Sequence, residues 1–191
     1  MPKFQHEPAS PNLPALIEIL ADHQIRYIIV GSVAAQLYGV DAQPCDFDIV
    51  PALDLGNLTR LAQVLQVIEA TLPDSDEIGK WETQADGEKK WVSRKATPEE
   101  LRQRAEWMPN PKDISSLDAL FHTRFGNFDV VPDLAGDYLT LIQRAKKMTA
   151  HGRDVWVAHI NELLARLTVP RRQKDIHRVR QLRELQRQLT D

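Results

Sequence analysis

The stretch Val30–Pro51, VGSVAAQLYGVDAQPCDFDIVP, decides the fold. Just before it, Arg26–Val30 (RYIIV) is a short, strongly apolar run that predicts a strand ending at Gly31. SVAAQLYG reads as a small-residue helix stopped by Gly39, and DFDIV (Asp46–Val50) as the next strand. Aspartates are poor strand formers, yet Asp46 and Asp48 stand one residue apart inside this one. Strand side chains alternate faces, so both carboxylates point the same way while Phe47 and Ile49 point into the core. Like charges a strand pitch apart repel. Such a pair is stable on a solvated sheet rim, or where a cation neutralises it, and oxygen-only carboxylate ligands suit Mg²⁺.

Two further features bear on that choice. Gly31 and Ser32 sit at the strand-to-helix turn, where free amide groups suit a phosphate; a tight turn with an N-cap is the plainer reading. A third aspartate, Asp129, lies among Phe128, Val130 and Val131. LDALFHTRFGNFDVVP (Leu117–Pro132) predicts a hairpin with a two-residue turn at Gly126-Asn127, so that Phe125 faces Phe128 and Arg124 faces Asp129. Asp129 is then either half of a cross-strand pair with Arg124 or a third metal ligand, with Arg124 and His122 lining the same face.

Working outward, residues 1–11 read as a flexible N-terminal tail with three prolines. Asn12 is placed to cap a first helix, and Asn57 a second whose Leu58, Leu61, Leu65, Ile68 and Leu72 share one face before Pro73 ends it. Residues 73–116 form a polar inserted segment carrying Trp81, Trp91 and Trp107, either a lid that stacks on a base or a small satellite core. Inside it, Thr97-Pro98-Glu99-Glu100 spells a capping box. YLTLIQRAKKM predicts a helix, VWVAHI a strand and NELLARL a short helix. From Arg171 onward an Arg-rich amphipathic helix carries Ile176, Val179, Leu182, Leu185 and Leu189 on its apolar side. Its basic excess suits either an RNA acceptor or a solvated face. The expected organisation is a core over 12–160 and a C-terminal helical extension over 161–191.

Composition bounds the function. With 191 residues, 42% hydrophobic and 27% charged, the chain suits one ordinary globular core, and a net charge of −3 argues against a broadly basic nucleic-acid binder. Cys45 is the single cysteine, so there is no disulfide framework and a reducing cytoplasm is expected; it reads as a small strand residue rather than a nucleophile. No apolar stretch approaches the roughly 18 residues of a membrane span.

The Gly-Ser pair, the thirteen-residue spacer, Asp46-x-Asp48 between apolar residues and the later Asp129 resemble the nucleotidyltransferase superfamily, the fold of DNA polymerase beta. More narrowly, YIIVGSVAAQLYGV…DFDIVP, NLTRLAQVL, NFDVVPDLAG, VWVAHI and RRQKD resemble small bacterial AbiEii-type toxins. The resemblance implies an α/β (α+β) nucleotidyltransferase fold, with a small mixed sheet, flanking helices and the C-terminal extension. It implies Mg²⁺ or Mn²⁺ bound by Asp46, Asp48 and Asp129 as catalytic residues. Gly31, Ser32, Arg124, Arg172 and Lys174 would bind the phosphates of a nucleoside triphosphate substrate. The implied reaction moves a nucleoside monophosphate onto an RNA or protein acceptor, with a cognate antitoxin as a further partner and no membrane role. Relatives commonly carry Arg and Thr before the Asp-x-Asp, where equal length puts Ala42 and Pro44, and a Lys where Leu167 stands here. These departures imply the alternative, a weakened or inactive member that binds nucleotide or a partner protein. A third, weaker reading is nucleotidylation of a small cationic antibiotic.

Overall fold

The structure, a computed structural model, describes residues 10–83, 89–133, 136–167 and 173–188. The tail expected over 1–11 therefore lies almost wholly outside the described residues. The chain opens with α1 (Leu13–Asp22), whose cap is Asn12 as expected: its Oδ1 accepts from the Ala15 amide at 3.2 Å. β1 (Tyr27–Ile29) leads into α2 (Gly31–Leu37), which ends before Gly39 at φ +97°. β2 (Phe47–Pro51) is followed by α3 (Leu55–Val67).

Asp54, not Asn57, caps α3; its side chain accepts from the Asn57 amide at 3.1 Å. Asn57 is instead buried one turn in. Its Oδ1 accepts from the Arg26 amide at 2.8 Å, and its Nδ2 donates to the carbonyls of Arg26 (3.0 Å) and Ala52 (2.9 Å). This amide stitches the start of α3 to the chain before β1. The helix also ends earlier than Pro73, because Ile68 and the positive φ of Glu69 already turn the chain.

A six-stranded mixed sheet carries the core, in the order β5-β6-β2-β1-β8-β7, where β5 is Ala119–Thr123, β6 Gly126–Val130, β7 Lys146–Ala150 and β8 Arg153–Val157. β1 pairs antiparallel with β2 and parallel with β8, and β2 pairs parallel with β6. Phe47, Ile49, Phe128, Val130 and Phe121 are fully buried, and the rings of Phe47 and Phe128 lie 5.9 Å apart. This is the mixed α/β architecture with flanking helices that the resemblance implies. The flanking helices include α5 (Tyr138–Ile142) and α6 (Ile160–Arg166), and α7 (Gln173–Gln188) follows as the C-terminal extension, packed against α6.

Three expectations need correction. YLTLIQRAKKM is not one helix: α5 stops at Ile142 and Lys146–Ala150 is β7, an edge strand whose Lys146 and Lys147 face solvent. Lysine is typical of exposed edges, and the helical period of the run hid that change of state. Residues 73–116 are less irregular than they read, since β3 (Glu77–Thr83) and β4 (Lys89–Lys95) form a separate two-stranded ribbon with Trp81 opposite Trp91. α4 (Pro98–Ala105) follows with its capping box complete. Trp107 does not belong to a satellite core. It packs on Phe121 at 4.9 Å and donates from Nε1 to the Ser116 carbonyl at 2.9 Å. On α7, Val179 and Leu182 are buried but Ile176 is 52% exposed, and Leu189 lies outside the described residues. No helix among the described residues is long and apolar enough to cross a membrane.

Candidate functional site

Asp46 and Asp48 lie at the junction of β1, α2 and β2, and only Asp48 is within a strand. Asp46 lies just before β2, and Asp48 inside it. Asp48 stands in register with Asp129 on the parallel neighbour β6. The Val30 amide donates to the Asp48 carbonyl at 3.1 Å, which ties the end of β1 to β2 at this level. α2 then begins at Gly31, with φ +64°. A Cβ at Gly31 would overlap the Asp48 carboxylate, so only glycine leaves it that place. The Ser32 amide lies near enough to the same carboxylate to favour its charged form.

The electrostatics follow from this crowding. Burial, then the charges of Asp46 and Asp129, push Asp48 up to about 8; the Ser32 amide and the Arg178 guanidinium oppose the shift. Asp129 is pushed up to about 6, by burial first and then by Asp46 and Asp118. Asp118 is raised in turn by burial and by Asp133. The three aspartates singled out from the sequence therefore share one neighbourhood and repel one another. Among the described residues, however, no group of three His, Cys, Asp or Glu side chains stands close enough to hold a metal ion as placed. The donor chemistry fits a hard divalent cation, whose charge would relieve the repulsion. The spacing would have to tighten.

Other expected site residues divide. Ser32 is 95% buried, and its hydroxyl has no hydrogen-bond partner among the described residues. Arg124 does not face Asp129. The hairpin turn falls at Arg124-Phe125, closed by Gly126 at φ +95°, and Leu120 is the residue opposite Asp129. The glycine follows the turn rather than forming its first corner, a geometry that places its positive φ at the strand entry. Arg124 lies instead over the Phe125 ring at 4.8 Å and pairs with Glu69 at 3.7 Å. His122 is exposed and aligned with Asn127. Arg172 lies outside the described residues, and Lys174 falls in the first turn of α7. Cys45 precedes β2 as an exposed free thiol rather than a strand residue.

Sequence reasoning missed Arg178. Its spacing to Asp175, Val179 and Leu182 puts it on the face of α7 that packs inward, and a cation on an apolar stripe was the available signal.

No protein-family model matches the chain, and no curated protein matches it. A solved structure described as an antigenic nucleotidyltransferase-like protein from Paracoccidioides brasiliensis is similar at a TM-score of 0.47 and 18% identity, over 93% of this chain and 78% of that one. At that identity and TM-score the likeness says nothing about chemistry.

Proposed function

We propose that the chain is a metal-dependent nucleotidyltransferase-like protein that moves a nucleoside monophosphate from a nucleoside triphosphate to a hydroxyl of an RNA or protein acceptor. The observation that carries this reading is the placement of Asp48 against Gly31 and in register with Asp129, with Asp46 two residues upstream. Three carboxylates on one sheet end, beside a glycine that admits close approach, suit a site for cations and phosphates.

Asp46, Asp48 and Asp129 would hold Mg²⁺ or Mn²⁺, which when bound neutralises charge on the reacting phosphate and acidifies the acceptor hydroxyl. The acceptor oxygen attacks the α-phosphorus, the bond to the β-phosphate oxygen breaks, and pyrophosphate leaves with the bonding pair. Asp129 would also take the acceptor proton. Gly31 leaves room for the Asp48 carboxylate against the backbone, and the Ser32 hydroxyl, without a partner among the described residues, would donate to a phosphate oxygen. A toxin role with a cognate antitoxin belongs to the same proposal, and gene neighbourhood tests it.

One observation favours a second reading, a binder without transfer: the carboxylates are not at ligating spacing as placed. Incubation with labelled nucleotides, Mg²⁺ or Mn²⁺, and bulk RNA or cell protein separates the two. Metal-dependent labelling of an acceptor that is lost in Asp46→Asn supports the enzyme. Metal-dependent nucleotide binding with no labelling supports the binder. Absence of both defeats both.

A further inference from the structure

The ribbon of β3 and β4 has no buried residue among those whose exposure is described, and neither has α4, which follows it. Among the described residues it joins no other strand. A two-stranded ribbon alone is marginal in water, and three or more strands are needed for independent stability. Each of its strands leaves one edge of backbone donors and acceptors open to a further strand.

Hydrogen bonds at the base fix which backbone groups face outward. The Ala96 amide donates to the Asp76 carbonyl at 2.7 Å, so even-numbered positions of β3 point at β4. The Glu77 carbonyl accepts instead from the Ser75 hydroxyl and from Arg104 Nη1, each at 3.2 Å. Along a strand these groups alternate sides. The outer edge of β3 therefore carries the groups of Gly79, Trp81 and Thr83, and its base at Glu77 is already capped.

The two edges differ in charge. β4 holds Lys89, Lys90, Arg94 and Lys95 with no acid, which is how edges are commonly guarded. Beyond Glu77, β3 holds one cation and one anion, Lys80 and Glu82, on either side of Trp81. Antiparallel pairing with β3 of a second copy, centred on Trp81, puts Lys80 opposite Glu82 twice, once on each side of the two-fold axis. Moving the centre by one residue sets Lys80 opposite Lys80 or Glu82 opposite Glu82. In the favoured register the outward groups of Gly79, Trp81 and Thr83 meet across the new ladder. Because Trp81 already stands opposite Trp91, four tryptophans then fall in one cross-strand row.

We propose that the outer edge of β3 is a homodimerisation edge, where two copies pair antiparallel about Trp81 to make one four-stranded sheet. The inference is independent of the proposed activity. The charge pattern selects a second copy as the occupant, since it is complementary to itself.

The test is sedimentation velocity of the full chain over a range of concentrations, without nucleotide or metal. The wild type should pass from monomer to dimer in the sub-millimolar range, as a short edge contact implies. Lys80→Glu sets acid against acid, and Glu82→Lys sets base against base; each should weaken the dimer by about tenfold. An equimolar mixture of the two variants restores opposite charges at both positions and should recover the wild-type affinity as a mixed dimer. Thr83→Pro removes an outward-facing N–H without touching the β3–β4 ladder and should abolish the dimer. Near-ultraviolet circular dichroism of the tryptophans reports that the ribbon still folds. A wild type that stays monomeric up to millimolar concentration would overturn the proposal, and that is also what an edge built for a strand of another protein would give. A dimer that survives the charge changes or Thr83→Pro would overturn it, and so would weakened variants whose mixture does not recover.

Discussion

Asp48→Asn isolates the charge that makes the site unusual. The substitution keeps the shape that fills the space over Gly31, and its amide oxygen keeps an acceptor near the Ser32 N–H. It removes a carboxylate whose pKa rises from 3.8 to about 8 on folding. A raised acid pKa means the folded state holds the proton more tightly, so stability is fully present below pH ~4 and is lost as pH climbs toward 8. At about 1.4 kcal/mol per pKa unit, a rise of roughly four units caps that loss near 6 kcal/mol. Water entry and small movements of the carboxylates lower it, and we expect about 2–3 kcal/mol. Urea unfolding in EDTA from pH 4.5 to 8.5 reads the effect. The two proteins should be about equally stable at the acid end, and the asparagine variant should become the more stable one as pH rises. Mg²⁺ should close the gap at pH 8 by stabilising the wild type alone. A gap that stays constant with pH, or a variant that is less stable at pH 8, refutes the reasoning.

Gly31→Ala should lower stability by about 1–3 kcal/mol and abolish nucleotide binding, because its Cβ would displace the Asp48 carboxylate. Gly39→Ala is the control: it shares a positive φ of +97° but has open space around it, so only backbone strain of about 1 kcal/mol is expected in the same denaturant titration. Asn57→Ala strips three hydrogen bonds from the Arg26 and Ala52 backbone, one buried and two partly buried, and should cost about 2–4 kcal/mol by urea unfolding, with no effect on nucleotide affinity. Asp46→Asn should leave the metal-free melting temperature at or above that of the wild type at pH 8, because the Asp46 charge opposes ionisation of Asp48 and Asp129, and should remove metal-dependent transfer, as read with labelled nucleotides.

The segment Val30–Pro51 was legible because its signals were local. Gly31, Gly39 and the alternation of Phe47 and Ile49 each act within a few residues, and the structure places them as expected. The register of Asp48 with Asp129 was not readable, since it depends on which strands become neighbours across the intervening 80 residues. Arg124 failed for a related reason. A two-residue shift in the turn moved it from the sheet face to the tip of the hairpin, and spacing alone does not choose between turn types there. Lys146 and Lys147 sat in a run whose period suited a helix, and only the position of β7 at the sheet edge explains a strand with two exposed lysines. Arg178 shows the opposite case. Seven basic residues crowd the last 21 positions, and nothing in their count marks one of them as inward-facing. The apolar period of α7 does, once Val179 and Leu182 are known to be buried.

Paramagnetic broadening by Mn²⁺ tests the central claim most directly, because it reports where a divalent ion sits without requiring the acceptor. Amide spectra would be recorded with substoichiometric Mn²⁺ and an α,β-methylene nucleoside triphosphate, for the wild type and for Asp46→Asn. The account predicts that broadening centres on the amides of Ser32, Asp46–Asp48 and Asp129, and that the asparagine variant largely escapes it. Broadening centred elsewhere, or an equal effect in both proteins, would contradict the assignment of these aspartates as a metal site.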